Sequence, residues 1–212
     1  MPYIHTIAPD AATDAVADMY QRQQVAWGYV PNYAKVFSHR PEVLARWGQL
    51  LAEIKRPMDG RRFELLTFAA AHALGNSACT LAHGRALRGY FSDAHIVAMA
   101  QGRFAEVLTP AEQALVGFAR RVARDASQVA QDDIAALRGF GHTDAEIFDT
   151  AATAAGRAFF TKLLDALGVL ADSPFLALDP TLREALTVGR PIDTRACESM
   201  PDNSADGGRH DH

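Results

Sequence analysis

An all-α fold follows from three observations on this chain of 212 residues. Apolar residues recur at offsets of three and four over long segments, two Thr-x-x-Glu capping boxes open such segments, and no alternating run bounded by hairpin turns marks a strand. Taken in order, the first clear element begins at Pro41, a residue tolerated in a first helical turn. Val43, Leu44, Trp47, Leu50, Leu51 and Ile54 then form its apolar stripe. RRFELLTFAAAHAL follows, apolar at nearly every position after Glu64, as a helix buried on most of its surface reads. Gly75-Asn76-Ser77 interrupts that run, and Asn or Ser is a favoured N-cap, so NSACTLAHGRALRGY opens a new helix. Thr109-Pro110-Ala111-Glu112 and Thr143-Asp144-Ala145-Glu146 cap two more. The second leads into a stripe of Ile147, Phe148, Ala151, Ala152, Ala155, Phe159, Leu163, Leu164 and Leu167 that stops at Gly168. At the usual helix length this predicts roughly seven or eight helices in a bundle. The alanines at 69–73 and 151–155 permit close helix approach, which core packing explains first.

Composition narrows the function classes. With 49% hydrophobic and 22% charged residues, one core and one domain are expected. Residues 1–188 carry the helical pattern, and 189–212 read as a polar, flexible tail. A formal charge of -4 gives no reason to expect nucleic acid or an anionic membrane. Two irregularly spaced cysteines fit a reducing compartment, no apolar run is long enough to span a membrane, and MPYIHTIAPD lacks the basic and apolar regions of a signal peptide. A cytoplasmic protein is expected. No phosphate-binding glycine loop, HExxH metal motif or serine nucleophile elbow occurs, and neither a cofactor nor a metal is expected. His210 and His212 alone are weak metal ligands.

The chemistry concentrates at Glu64, Cys79 and His83. Cys79 and His83 stand at i and i+4, on one face of a helix, where they can touch. Cys79 would lie in the first turn, where the helix dipole and a protonated His83 both favour the thiolate. Glu64, on the preceding buried helix, is expected to have its pKa raised by burial, and a turn at Gly75 would bring it toward the pair. Taken singly, a buried cysteine is more often an inert apolar residue, a histidine is usually structural, and a glutamate early in a helix complements the dipole. The combination carries the reading. His72, two turns beyond Glu64, is a neighbour of the site or simply a packed helix residue.

These residues resemble the core motif of the carboxymuconolactone decarboxylase and alkylhydroperoxidase D superfamily, whose redox members carry a Glu, then Cys-x-x-Cys, then x-x-x-His. Glu64, Cys79 and His83 match its glutamate, second cysteine and histidine without a shift in spacing. WGYVPNYAKVFSHRPEVLARWGQLL and the long segment from LTPAEQALVGF to LLDALGV resemble the peroxidase-related branch, so the likeness spans roughly residues 15 to 170. It implies the alkylhydroperoxidase D-like helical bundle, a homo-oligomer (dimer, trimer or hexamer), and attack on peroxide by the Cys79 thiolate. One departure stands out: Asn76 occupies the place of the first, resolving cysteine. Either an external thiol reductant restores Cys79, or Cys197 in the tail resolves it, or the redox function is lost.

Three functions remain open from the sequence. The first is a thiol-dependent peroxidase-like oxidoreductase in which Glu64 and His83 relay protons to a hydroperoxide substrate. The second is cofactor-free decarboxylation or isomerisation of a small organic acid or lactone by Glu64 and His83. The third is a non-catalytic oligomer that binds a small ligand.

Overall fold

The computed structural model describes residues 2–195. Ten α-helices, joined by short turns and 3-10 segments, make up the described chain, and no strand occurs in it. They are α1 (Asp14–Trp27), α2 (Asn32–Val36), α3 (Pro41–Lys55), α4 (Gly60–Ala73), α5 (Ser77–Leu87), α6 (Asp93–Ala100), α7 (Pro110–Asp125), α8 (Gln131–Gly139), α9 (Asp144–Ala166) and α10 (Pro180–Leu186). The all-α expectation holds, and the extra helices are the short α2, α6 and α10, too brief to show a stripe of their own.

Helix α4 is the axis of the fold, packing against α5, α7 and α9. Ala69, Ala70 and Ala71 are wholly buried there, so small side chains let three neighbours approach one helix. Both capping boxes form: Thr109 and Glu112 open α7, and Thr143 and Glu146 open α9. Each box satisfies two N–H groups that the first turn leaves unpaired.

Two apolar stripes come out differently from their sequence pattern. On α3 only Leu44 and Trp47 are buried, while Val43 and Leu50 are exposed. On α9 the buried face is Ile147, Thr150, Thr153, Ala154, Arg157, Ala158, Phe160, Thr161 and Leu164, and Phe148 and Phe159 point outward. The threonines can turn inward because each hydroxyl donates to the carbonyl four residues back: Thr150 to Glu146, Thr153 to Asp149 and Thr161 to Arg157, all at 2.8 Å.

The turn between α4 and α5 rests on Gly75, whose φ of 72° is a left-handed conformation that glycine adopts without a Cβ clash. Residues 189–195 run back along this region. The Gly189 N–H donates to Ser77 Oγ at 2.8 Å, Ile192 is buried, and the Asp193 N–H donates to Ala171 O at 2.8 Å. A Cβ on Gly189 would stand 1.9 Å from the Gly75 carbonyl oxygen, so the chain passes where only a glycine fits.

Candidate active site

The left-handed turn at Gly75 folds α5 back along α4 and sets His83 opposite Glu64. His83 Nδ1 lies 2.6 Å from Glu64 Oε2. Burial acts upward on the Glu64 carboxyl, but the His83 hydrogen bond, with the charges of Lys55 and Arg157 behind it, brings it below its ordinary value. Burial pushes the His83 imidazolium down, the Arg157 charge adds to this, and Glu64 opposes them without prevailing. The pair is therefore a carboxylate and a neutral imidazole. An ionised carboxylate only accepts, which assigns the proton to Nδ1 and leaves Nε2 as a base. Contrary to the sequence expectation, Glu64 is not raised into the range for giving up protons.

Cys79 is the third residue of α5 and is 4% exposed. Its backbone N–H donates to Oδ1 of the N-cap Asn76 at 2.8 Å, and Asn76 Nδ2 donates to Asp165 Oδ1 at 2.9 Å. The cap thus bridges the thiol's helix to α9. Among the described residues the hydrogen-bond partner of the Cys79 sulfur is not His83 but Arg157, whose Nη1 lies 3.7 Å from Sγ. Burial pushes the Cys79 thiol up, with the Arg157 charge and hydrogen bond pulling the other way. The resting group is a thiol, because a neutral His83 supplies no positive charge and burial outweighs the guanidinium.

Glu64, Cys79, His83 and Arg157 line one cavity of 580 Å³. Its walls are aromatic, built from Trp27 on α1, Tyr33 on α2, Trp47 on α3, Phe160 on α9 and Phe175. Trp47 stacks on Phe160 at 5.8 Å between centroids, and the Tyr33 ring meets Phe160 edge-on at 5.4 Å. The Tyr33 phenol is pushed up to about 12, chiefly by burial, and stays protonated. Asp172 lies at another wall, where burial pushes it up to about 6 against the pull of the Asn32 N–H that donates to it at 2.7 Å.

The three residues singled out in the sequence therefore share one cavity, with Asn76 behind Cys79. His72 is not among the cavity residues: it packs on the Phe68 ring at 5.8 Å and faces Arg120 at 3.4 Å. Cys197, His210 and His212 lie outside the described residues. No group of three or more His, Cys, Asp or Glu side chains among the described residues could hold a metal ion. No described helix is long and apolar enough to cross a membrane. Sequence reasoning missed Arg157, Asp172 and the aromatic walls. One sign of Arg157 was legible, a lone cation in the apolar run AATAAGRAFF. Asp172 and the rings come from distant segments and share no spacing.

No protein-family model and no curated protein matches the chain. Solved structures do. The alkylhydroperoxidase AhpD core of an uncharacterized peroxidase-related protein from Ralstonia eutropha aligns with a TM-score of 0.72 at 23% identity, over 84% of this chain and 95% of that one. An uncharacterized peroxidase-related protein from Silicibacter gives 0.63 at 18%, over 81% and 94%. The debrominase Bmp8, as a cysteine-to-alanine variant in complex with 2,3,4-tribromopyrrole, gives 0.69 at 15%, over 87% and 100%. At these identities the likeness is one of fold, and the chain has the all-α architecture of AhpD-like proteins.

Proposed function

We propose that this chain is a thiol-dependent, peroxidase-like oxidoreductase that reduces a hydroperoxide through Cys79. The observation that carries the reading is the contact of Arg157 Nη1 with Cys79 Sγ inside a cavity that also holds a hydrogen-bonded Glu64–His83 pair. In this reading the thiol proton passes to His83 Nε2, by way of bound substrate or water. Glu64 stabilises the imidazolium that forms, and Arg157 the thiolate. The sulfur attacks one peroxide oxygen: an S–O bond forms, the O–O bond breaks, and the leaving alkoxide takes the proton back from His83. One external thiol then displaces water from the sulfenic acid to give a mixed disulfide, and a second releases the disulfide and restores Cys79. The external reductant takes the role that Asn76 cannot. A homo-oligomeric, cytoplasmic protein belongs to the same proposal. Cys79→Ser is expected to abolish thiol-dependent peroxide consumption, and undiminished turnover in that variant would refute the mechanism.

A second reading is favoured by one specific observation: the resting Cys79 is a protonated thiol, whereas Glu64 and His83 are already poised as carboxylate and neutral base. Here the pair moves a proton on a small organic acid or lactone, as in decarboxylation or isomerisation, and Cys79 is a neighbour. Turnover of such a compound that survives Cys79→Ala and is lost in His83→Gln would select this reading.

A further inference from the structure

Arg157 sits on α9, 5% exposed, at the wall of the aromatic cavity. Among the described residues no carboxylate forms an ion pair with it. Among the same residues its buried Nε has no hydrogen-bond partner, and Nη1 reaches only the cysteine sulfur. A guanidinium carries five N–H donors, so most of them are unused. What holds the group in place is the Phe160 ring, 5.4 Å from its central carbon. A buried cation with open donors is costly unless an anion completes it.

The acids nearby are committed elsewhere. Glu64 is engaged by His83, Asp172 accepts the Asn32 N–H, and Asp165 is held by Asn76. Arg85, also a cavity residue, adds a second cation at the rim, where its guanidinium lies over the Trp27 and Phe175 rings at 5.4 and 5.1 Å. The rest of the lining is aromatic rings and aliphatic side chains, and 580 Å³ lies in the range of cavities that enclose a small organic ligand, far more than hydrogen peroxide fills.

We propose that this cavity binds an aromatic carboxylate, with the carboxylate on the open donors of Arg157 and the ring against the wall formed by Trp47, Phe160 and Tyr33. The proposal rests on the reading that the Cys79 cavity is the substrate site, and it names the ligand class that the cavity selects. Because the anion meets the guanidinium that also faces Cys79, a bound acid covers the approach of other reagents to the sulfur.

Trp27 and Trp47 are the two tryptophans of the chain, and both line the cavity, so intrinsic fluorescence reports on it directly. The test titrates the full chain with 4-bromobenzoate and, separately, with its neutral counterpart 4-bromobenzyl alcohol, whose bromine quenches tryptophan on contact. Saturable quenching is expected with the acid at a Kd at least tenfold below that of the alcohol, and this preference disappears in Arg157→Gln. Equal affinity for acid and alcohol, or a preference that persists in Arg157→Gln, overturns the proposal. If that variant does not fold, Cys79 alkylation in the unmodified protein decides. Saturating acid must slow it at least tenfold and the alcohol much less, and no such difference overturns the proposal. Binding is read without turnover. Uptake of the acid without peroxide consumption would refute the peroxidase reading alone, and peroxide consumption without a preference for the acid would refute this proposal alone.

Discussion

Asn76 is the residue through which Cys79 is held: Oδ1 accepts the Cys79 N–H at 2.8 Å while Nδ2 donates to Asp165 on the far helix at 2.9 Å. Asn76 therefore ties the first turn of α5 to α9 and fixes the backbone beside the thiol. Asn76→Ala removes both bonds. A lost N-cap costs about 1 kcal/mol, and the orphaned Asp165 adds to it. For a chain of this size the melting temperature is expected to fall by roughly 2–4 °C per kcal/mol, read by calorimetry. Asn76→Cys is expected instead to form a bridge to Cys79 on treatment with peroxide. Mass spectrometry of the linked peptides would show it, and persistence of a free Cys79 sulfenic acid would count against the proximity of positions 76 and 79.

Arg157 is the main charge that opposes burial at Cys79. In Arg157→Ala the thiol loses that counterweight and its pKa rises further. The thiolate fraction falls accordingly, so iodoacetamide should modify Cys79 measurably more slowly at pH 8. Arg157→Lys should fall in between, since it keeps the charge and loses the planar fork. A pH profile of the alkylation rate distinguishes a moved pKa from a merely blocked cavity.

The Glu64–His83 pair makes stability depend on pH in one direction. Both groups have folded-state values below their ordinary ones, 4.5 for the glutamate and 6.5 for the histidine. Below those values the unfolded chain binds protons that the folded chain refuses, so stability is complete above about pH 6.5 and is lost on acidification, first through His83 and then through Glu64. The pair should therefore lower the urea midpoint on acidification from pH 7, with His72, also pushed down by burial, adding to the decline and Asp172, pushed up to about 6, opposing it. In His83→Gln the upper part of that decline should become shallower, with the contribution of His72 remaining.

Two glycines on helices should respond to alanine with opposite signs. A Cβ on Gly84 of α5 would come within 2.6 Å of the buried Leu186 side chain on α10, an overpacked contact that costs about 1–3 kcal/mol. Gly117, exposed in the middle of α7, has nothing within 4 Å of such a Cβ. Alanine there removes backbone freedom from the unfolded chain and should stabilise by about 0.5–1 kcal/mol. Denaturant midpoints of the two variants test the packing of α10 against α5 directly.

The chain by itself determined what depends on near neighbours. Thr109 with Glu112 and Thr143 with Glu146 close their capping boxes within four residues, Asn76 caps the helix it precedes, and Glu64, Cys79 and His83 carry a spacing that places them on two consecutive helices. Only the tertiary structure decided which faces turn inward and what charge meets the thiol. Thr150, Thr153 and Thr161 hide their hydroxyls on their own backbone, so the buried face of α9 is not its most apolar one, and that rotation carries Arg157 inward to Cys79. Burial, a property of the whole fold, then reversed the expected protonation of Cys79 and His83: removing charged groups from water outweighed the local dipole and pairing effects that the sequence makes visible.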